Sequence, residues 1–564
     1  MNDSKIYDIW LNNAKKDIDL IKELNQMDEK TKEDAFYKDL EFGTGGLRGV
    51  IGAGTNRMNI YTVSKATQGI ANYINGHVSE GKRKVAISYD SRLKSIDFAL
   101  MVARVLSGNG IQAFIYPNLS PVPTLSYATR YLGCAFGIMI TASHNPSKYN
   151  GYKVYGEDGC QITDHIAKIL LDDIEKINPF SDVKKLKAED GFNKGLISYI
   201  LPGVLTSFLE EVKKQSQLYG ESIDKSASII YTPLNGTGLV PVKRILEEEG
   251  YTNIEIVKEQ EFPNGYFPTC PYPNPEIKEA MALGIKYAKE KNADLLIATD
   301  PDCDRVGIAV KDKAGEFRLL TGNETFLLLF DYICQRRIQY HKMPKNPILV
   351  KTIVTTDLVE KIAKHYHVEV INVLTGFKYI GEQISKLEKK NEENRFIFGF
   401  EESYGCLSGT YVRDKDAVVG SMLIVEMYSY YRTKGITLLD KLNELYKMYG
   451  YCLNTLHSYQ FEGKEGFDKM LDIMNRFKKE SLHDKDIPIE KMYDYSEGIN
   501  GLPKSNVLKV VLKDSTTFVV RPSGTELKLK LYFSIQSDSE SNAKDKEQKL
   551  RTILEEKIIY PSTC

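Results

Sequence analysis

With 564 residues the chain exceeds what one hydrophobic core organises, and about three to five domains are expected. Its composition (42% hydrophobic, 27% charged, formal net charge -1) gives no overall field to draw nucleic acid or an anionic membrane, so any anion site is local. Eight scattered cysteines without a CxxC pair, a charged helix-like start (3–25) and no run near the roughly 18 apolar residues of a membrane span point to a reduced, cytoplasmic protein without a secretory signal.

Strand-like runs alternate with helix-like segments through most of the chain, which predicts α/β layers. The run 84–89 is a short strand ending at Asp90-Ser91-Arg92, 95–107 has amphipathic helical spacing, and 111–116 and 136–140 continue the alternation. A second unit opens with strand 228–231; its later strand, 294–299, runs into a cluster of aspartates. A third passes through 348–350, a helix over 357–365, strand 368–373 and the apolar run 396–400. The last stretch differs: 507–512, 516–520 and 528–533 form a strand meander before a polar helix over 541–558, an α+β pattern. The expected domains are 1–205, 206–320, 321–450 and 451–564, with the polar segments 177–194 and 477–504 as surface connections.

Several strand ends carry chemistry. Strand 136–140 stops at Thr141-Ala142-Ser143-His144-Asn145-Pro146, a loop that presents the Ser143 hydroxyl to solvent or ligand; a turn hydroxyl or helix cap is the plain alternative. A hydrolase nucleophile lacks its Gly-x-Ser-x-Gly frame. Asp300, Asp302 and Asp304 alternate after an apolar strand, so their carboxylates share one side and repel one another without a cation; they make an oxygen site for Mg2+. A calcium loop of the EF-hand type is excluded by Arg305 at its sixth position and Lys311 at its twelfth.

Three further segments suit phosphate or sugar. Gly43 to Gly49 is a glycine-rich loop with one fixed cation, Arg48, and matches neither a Walker A nor a dinucleotide fingerprint. Arg521-Pro522-Ser523-Gly524-Thr525 offers a guanidinium fork and two hydroxyls to a phosphate monoester. Glu401, Glu402 and Ser403 end an apolar strand with acceptors for a polyol, and Thr375-Gly376-Phe377-Lys378 can line the same pocket. Adjacent glutamates point to opposite faces of a strand, which weakens a glycosidase reading, and His365 with His367 lack a third zinc ligand.

TASHNPSKYNGYKVY (141–155), DPDCDR (300–305), GFEESYG (399–405) and RPSGTE (521–526), with GTGGLRG (43–49) ahead of them, resemble in sequence and order the α-D-phosphohexomutase superfamily, in its phosphoglucomutase/phosphomannomutase branch. The resemblance spans roughly the full chain. It implies three related α/β domains with mixed sheets and a smaller α+β fourth domain around one cleft. It implies Ser143 as a phosphoserine, holding Mg2+ together with Asp300, Asp302 and Asp304. Arg48, His144, Lys153, Arg305 and Lys415 surround the transferring phosphoryl group in this reading, and Lys153, its pKa lowered by neighbouring cations, or His144 takes the sugar proton. Gly376, Lys378, Glu401 and Ser403 line the sugar; Arg521, Ser523, Gly524 and Thr525 grip the other phosphate. Leu527 departs from the family, which usually has proline there.

The implied activity is interconversion of glucose 1-phosphate and glucose 6-phosphate, primed by glucose 1,6-bisphosphate. Phosphomannomutase and phosphopentomutase are the close alternatives. A magnesium phosphatase and a non-catalytic sugar-phosphate-binding protein are the alternatives of other classes. Small sugar phosphates are the expected partners, with no nucleic acid or membrane, and monomer and dimer both remain open.

Overall fold

A computed structural model describes residues 3–14, 17–40, 46–461, 463–480, 487–499, 501–523 and 528–560. The first sheet is built from β1 (Gly46–Val50), β2 (Lys84–Tyr89), β3 (Gln112–Ile115), β4 (Phe136–Ile140), β5 (Tyr149–Gly156) and β6 (Ile197–Tyr199), in the order β1-β5-β4-β2-β3-β6. Strands β4, β2, β3 and β6 are parallel, and β5 and β1 close one side antiparallel. Alternation along the pleat sorts the side chains into two faces. Val85, Ile87, Ile138 and Ile140 pack with residues of helices Ile60–His77 and Ser95–Gly108, whereas Ala86 and Met139 join helix Val122–Tyr131 in a core that continues into the second and third domains.

The second domain holds β7 (Ile229–Thr232), β8 (Ile254–Ile256), β9 (Leu295–Thr299), β10 (Val306–Lys311) and β11 (Phe317–Leu320), ordered β11-β10-β9-β7-β8. The third holds β12 (Ile348–Thr352), β13 (Glu369–Val373), β14 (Phe396–Glu401) and β15 (Gly405–Leu407), ordered β13-β12-β14-β15. Both are mixed sheets. Helix Ala417–Thr433 is apolar nearly all round and buried along most of its length, as an element between layers must be. Its cap is Asp416, whose carboxylate accepts from the Val418 and Val419 amides.

The fourth domain is an antiparallel sheet of β16 (Tyr451–Gln460), β17 (Ile489–Asp494), β18 (Leu508–Leu512), β19 (Thr517–Pro522) and β20 (Lys528–Ser537), ordered β16-β20-β19-β18-β17. Helices Gly463–Glu480 and Glu540–Leu554 cover its apolar face. The opposite face brings Val507, Val519 and Tyr532 against Ile353, Val354 and Leu374 of the third domain. The ends of β4, β9, β14 and β19 carry the loops singled out in the sequence, the usual place for ligands in α/β sheets.

Three local expectations need correction. The N-terminal helix is two helices, Asp3–Asn13 and Ile18–Gln26, because Asp17 caps the second by accepting from the Leu20 amide. The segment 477–504 is not a plain connection: it contains the end of helix Gly463–Glu480, whose Met470, Ile473, Met474 and Phe477 are buried at helical spacing, and strand β17. The segment 177–194 contains a short helix, Ala188–Asn193.

Candidate active site

Ser143 follows the end of β4 with φ 51, left-handed backbone that a residue with a Cβ adopts only where its surroundings enforce it. Its amide donates to Thr141 Oγ1 at 2.8 Å. The hydroxyl is buried, donates to Asp300 Oδ2 at 3.0 Å and lies 3.3 Å from His144 Nδ1. Gly151 of the neighbouring β5 makes the approach possible, since a Cβ there would sit 2.4 Å from the Thr141 carbonyl oxygen.

Asp300, Asp302 and Asp304 are fully buried, with ligand oxygens all within 4.8 Å of one another, and form the one cluster of this kind among the described residues. Asp300 Oδ1 accepts from the Asp304 and Arg305 amides at 3.1 Å each, which folds the loop and leaves Oδ2 for Ser143. Cys303, with φ 53, takes the tight corner. Asp302 Oδ1 and both Asp304 carboxylate oxygens receive no hydrogen bond. Buried oxygens of Asp302 and Asp304 that receive no hydrogen bond, converging with the Asp300 carboxylate, fit a hard divalent cation.

The electrostatics follow from this packing. Burial, then the charges of Asp302 and Asp304, push the Asp300 carboxyl well above the usual carboxylate range. Asp302 goes the other way: burial opposes its charge, but Lys153 at 2.8 Å outweighs it and holds the carboxyl down. Lys153 also lies 3.6 Å from Asp304, and Lys415 sits 3.2 Å from Asp304 and 3.2 Å from Asp414. The expectation of a lowered Lys153 pKa is therefore overturned. Burial disfavours its ammonium, but Asp302 and Asp304 more than compensate and raise it. His144 is pushed well below its ordinary value by burial and by Arg305 and Arg48, which keeps the imidazole neutral.

Arg305 bridges two domains, donating to Glu276 Oε1 at 2.7 Å and to the Ser403 carbonyl at 2.8 Å. Arg48 on β1 donates to Asn145 Oδ1 at 3.3 Å and so faces the serine loop. Facing them, Glu401 ends β14 and accepts from the Gly376 amide at 2.9 Å. Glu402 turns to the Thr352 and Thr355 hydroxyls, 3.4 Å away each, and burial beside Glu401 raises its carboxyl to about 7. Lys378, largely buried, lies 4.8 Å over the Tyr379 ring. The Arg521 guanidinium bonds the Thr375 hydroxyl, carrying the fourth domain to the third, and the Ser523 amide donates a hydrogen bond of 2.7 Å to the Lys528 carbonyl. Gly524 and Thr525 lie outside the described residues, as do residues 43–45 and Leu527.

The structure thus brings Ser143, His144, Lys153, Arg48, Arg305, Lys415 and the three aspartates together, with Ser403 reached by Arg305; Glu401 holds Gly376, and Arg521 bonds Thr375 beside it, while the amide contact of Ser523 is local. Sequence reasoning missed Glu276, which anchors Arg305, and Asp414, which takes the Tyr155 hydroxyl at 2.8 Å beside Lys415. Asn274-Pro275-Glu276, a carboxylate in a polar Pro turn, was the available signal for the first. His365 packs its ring on Tyr366 and Tyr449, as a structural histidine does.

A serine against a carboxylate trio, cations on its flank and carboxylate acceptors on the third domain's loops define an enzyme that moves phosphoryl groups. The chain belongs to the phosphoglucomutase/phosphomannomutase family: the alpha/beta/alpha domain I of that family matches residues 39–180, domain II matches 206–315 and domain III matches 321–449. It is an isomerase of the phosphotransferase kind. It is 36% identical to the phosphoglucomutase of Staphylococcus saprophyticus, over 94% of this chain and 96% of that one. With the phosphoglucomutase of Staphylococcus aureus strain USA300 the identity is 34%, over 97% and 98%. The fold matches the open form of the phosphoglucomutase parafusin from Paramecium (TM-score 0.68, 17% identity, 92% of this chain and 95% of that one). It also matches a phosphoglucomutase/phosphomannomutase family protein from Burkholderia thailandensis (TM-score 0.67, 17% identity, 93% and 98%). Among the described residues no helix is long and apolar enough to cross a membrane.

Proposed function

We propose that the protein is a cytoplasmic phosphoglucomutase, interconverting glucose 1-phosphate and glucose 6-phosphate through phosphorylated Ser143 and a bisphosphorylated sugar. The observation that carries this reading is the Ser143 hydroxyl held 3.0 Å from Asp300 within the aspartate trio. The near-full-length relatives named phosphoglucomutase favour glucose over mannose or pentose phosphates.

Asp300, Asp302 and Asp304, with an oxygen on Ser143, would hold Mg2+, which when bound supplies positive charge to the transferring group. In the forward half-reaction the bond from Ser143 Oγ to phosphorus breaks, a bond from a sugar oxygen to that phosphorus forms, and the sugar hydroxyl gives up its proton. His144, whose ring nitrogen is 3.3 Å from Ser143 Oγ, is placed to take the proton of Ser143 itself when phosphate returns to that oxygen, and the sugar's proton goes to a base on the opposite side of the phosphorus. Lys153, paired with two carboxylates, serves as a fixed cation with Arg48, Arg305 and Lys415. Glu401 and Ser403 take the sugar hydroxyls, with Gly376 and Lys378 beside them. Arg521, Ser523, Gly524 and Thr525 grip the phosphate that is not reacting. The bisphosphate then turns end for end and returns its other phosphate to Ser143. Glucose 1,6-bisphosphate primes the free serine.

The test is incubation with glucose 1,6-bisphosphate labelled in phosphate, followed by peptide mapping and a kinetic panel of glucose, mannose and ribose 1-phosphates. Label on the Ser143 peptide that chases into glucose 6-phosphate is expected. Full mutase activity in Ser143→Ala would end the reading, and free phosphate as the main product would establish a phosphatase instead.

A further inference from the structure

Beneath the Ser143 loop lies a pair of charges that the proposed chemistry does not use. Arg92 is only 3% exposed, yet its guanidinium points into the loop rather than towards substrate. One nitrogen, Nη2, donates to the carbonyls of Ser143 and Asn145; the other, Nη1, donates to those of Pro146 at 2.9 Å and Tyr149 at 3.2 Å. Four carbonyls of one loop thus converge on one planar fork, a geometry a lysine cannot copy.

The second half of the arrangement is Asp90. Its Oδ2 lies 3.3 Å from Arg92 Nε and accepts from the Thr141 hydroxyl at 2.6 Å. Its Oδ1 accepts from the Arg92 amide at 3.0 Å and the Ser95 hydroxyl at 2.8 Å. The Thr141 oxygen in turn accepts from the Ser143 amide at 2.8 Å. Both main-chain groups of Ser143 therefore end on the same buried ion pair, the amide through Thr141 and the carbonyl directly on Arg92. The second domain closes the arrangement from below: the Phe267 ring lies 5.1 Å from the guanidinium carbon, and Gly265 lies so close to Ser91 and Leu93 that a Cβ would approach their backbone to within 2.8 Å.

We infer that Asp90, Arg92 and Thr141 are positioning residues that clamp the backbone of Ser143 from both sides and hold it in the left-handed conformation that aims Oγ at the aspartates. The inference rests on Ser143 being the phosphoryl carrier. Without the clamp the residue relaxes towards the extended region, its preferred backbone, and Oγ swings out of line. A displacement of about 1 Å in such a centre costs on the order of 100-fold in rate. A phosphoserine that is out of line also gives its phosphoryl group to water more often: the Oγ–P bond breaks, water supplies the new oxygen, and phosphate is released.

The experiment uses the full chain, loaded with labelled glucose 1,6-bisphosphate, for wild type, Arg92→Lys, Thr141→Val and Thr141→Ser. Mutase kcat, KM for glucose 1-phosphate, phosphate released per turnover and the thermal midpoint are measured for each. Arg92→Lys and Thr141→Val are expected to lose about 100-fold in kcat while KM moves by less than about threefold, and to release more phosphate per turnover. Thr141→Ser, which keeps the hydroxyl, is expected to restore both readouts. Wild-type kcat and phosphate release in Thr141→Val, or a Thr141→Ser protein as impaired as Thr141→Val, would overturn the clamp. If Arg92→Lys fails to fold, the two threonine variants decide alone. Wild type that takes no label at Ser143 overturns the proposed function itself, a result read without any variant.

Discussion

The serine loop and the recognition loops of the third and fourth domains are held by different partners. At the serine end the side chains are buried and tied to the frame: Asp300 holds its own loop, Lys153 bridges two carboxylates, and Ser143 is fixed in φ 51. At the recognition end the groups sit on loops of two domains, where Arg521 of the fourth bonds the Thr375 hydroxyl of the third. A reaction that must line up one oxygen with one phosphorus needs the first kind of site, since misplacement is costly there. A sugar bisphosphate that binds in two orientations needs the second, with hydrogen-bonding groups that serve either end.

Asp300→Asn separates the two ends most sharply. It keeps an oxygen for the Asp304 and Arg305 amides but removes the charge from the trio, and mutase activity is expected to fall by about 10³-fold or more, the scale of losing a central electrostatic group. Without metal, burial and the neighbouring acids already keep Asp300 protonated, so the midpoint of thermal unfolding measured with a chelator should move by less than about 2 °C. A midpoint that falls further would show that Asp300 stabilises the fold and break the comparison.

Asp416 tests how dry the supporting frame is. Burial raises its carboxyl to about 6, with the Tyr411 hydroxyl and two helix amides opposing. A raised acid contributes stability fully below its unfolded pKa, near 4, and loses it as pH climbs through about 6. Asp416→Asn keeps the cap and escapes that loss. Urea unfolding should show the variant gaining about 3 kcal/mol on wild type between pH 4 and pH 7. An unchanged difference across that window would mean that water reaches the carboxyl.

At the recognition end, Arg521→Ala should raise KM for glucose 1-phosphate by about 10- to 100-fold and lower kcat far less, the scale of one charged hydrogen-bond partner. An equal fall in kcat would place Arg521 in the chemistry and blur the division. Smallest of all, Glu276→Gln should lower kcat by about 10-fold without shifting KM. Arg305 keeps its bond to the Ser403 carbonyl and loses one charged anchor, worth about 1.4 kcal/mol.

Local pattern made most of the frame legible. The run 136–140 is β4 residue for residue, and 348–350, 396–400 and 507–512 fall within a residue or two of strands. These are apolar runs bounded by turns, where local sequence and burial agree. Strands β5 and β17 were not legible, because Tyr149–Gly156 and Ile489–Asp494 interleave lysines and tyrosines that pair only once a neighbour is in place. The aspartate trio was legible from three close carboxylates after an apolar strand, but strand β9 ends at Thr299 and a turn at Cys303, rather than the pleat, brings them together. The sign of the Lys153 shift was not, because it depends on Asp302 and Asp304, about 150 positions away, outweighing both burial and Lys415. Arg92 could be seen as the end of a strand but not as the partner of carbonyls more than 50 residues on.

The aspartate loop is also sewn to its neighbours by main chain alone. The Val122 amide of the first domain donates to the Asp302 carbonyl at 3.0 Å, the Ala417 amide of the third to that of Cys303 at 3.3 Å, and Val306 to Tyr404 at 3.0 Å. Peptide groups are the same whatever residue bears them. Such seams tolerate sequence drift, and hybrid chains that exchange whole modules with relatives one-third identical should still close around this junction.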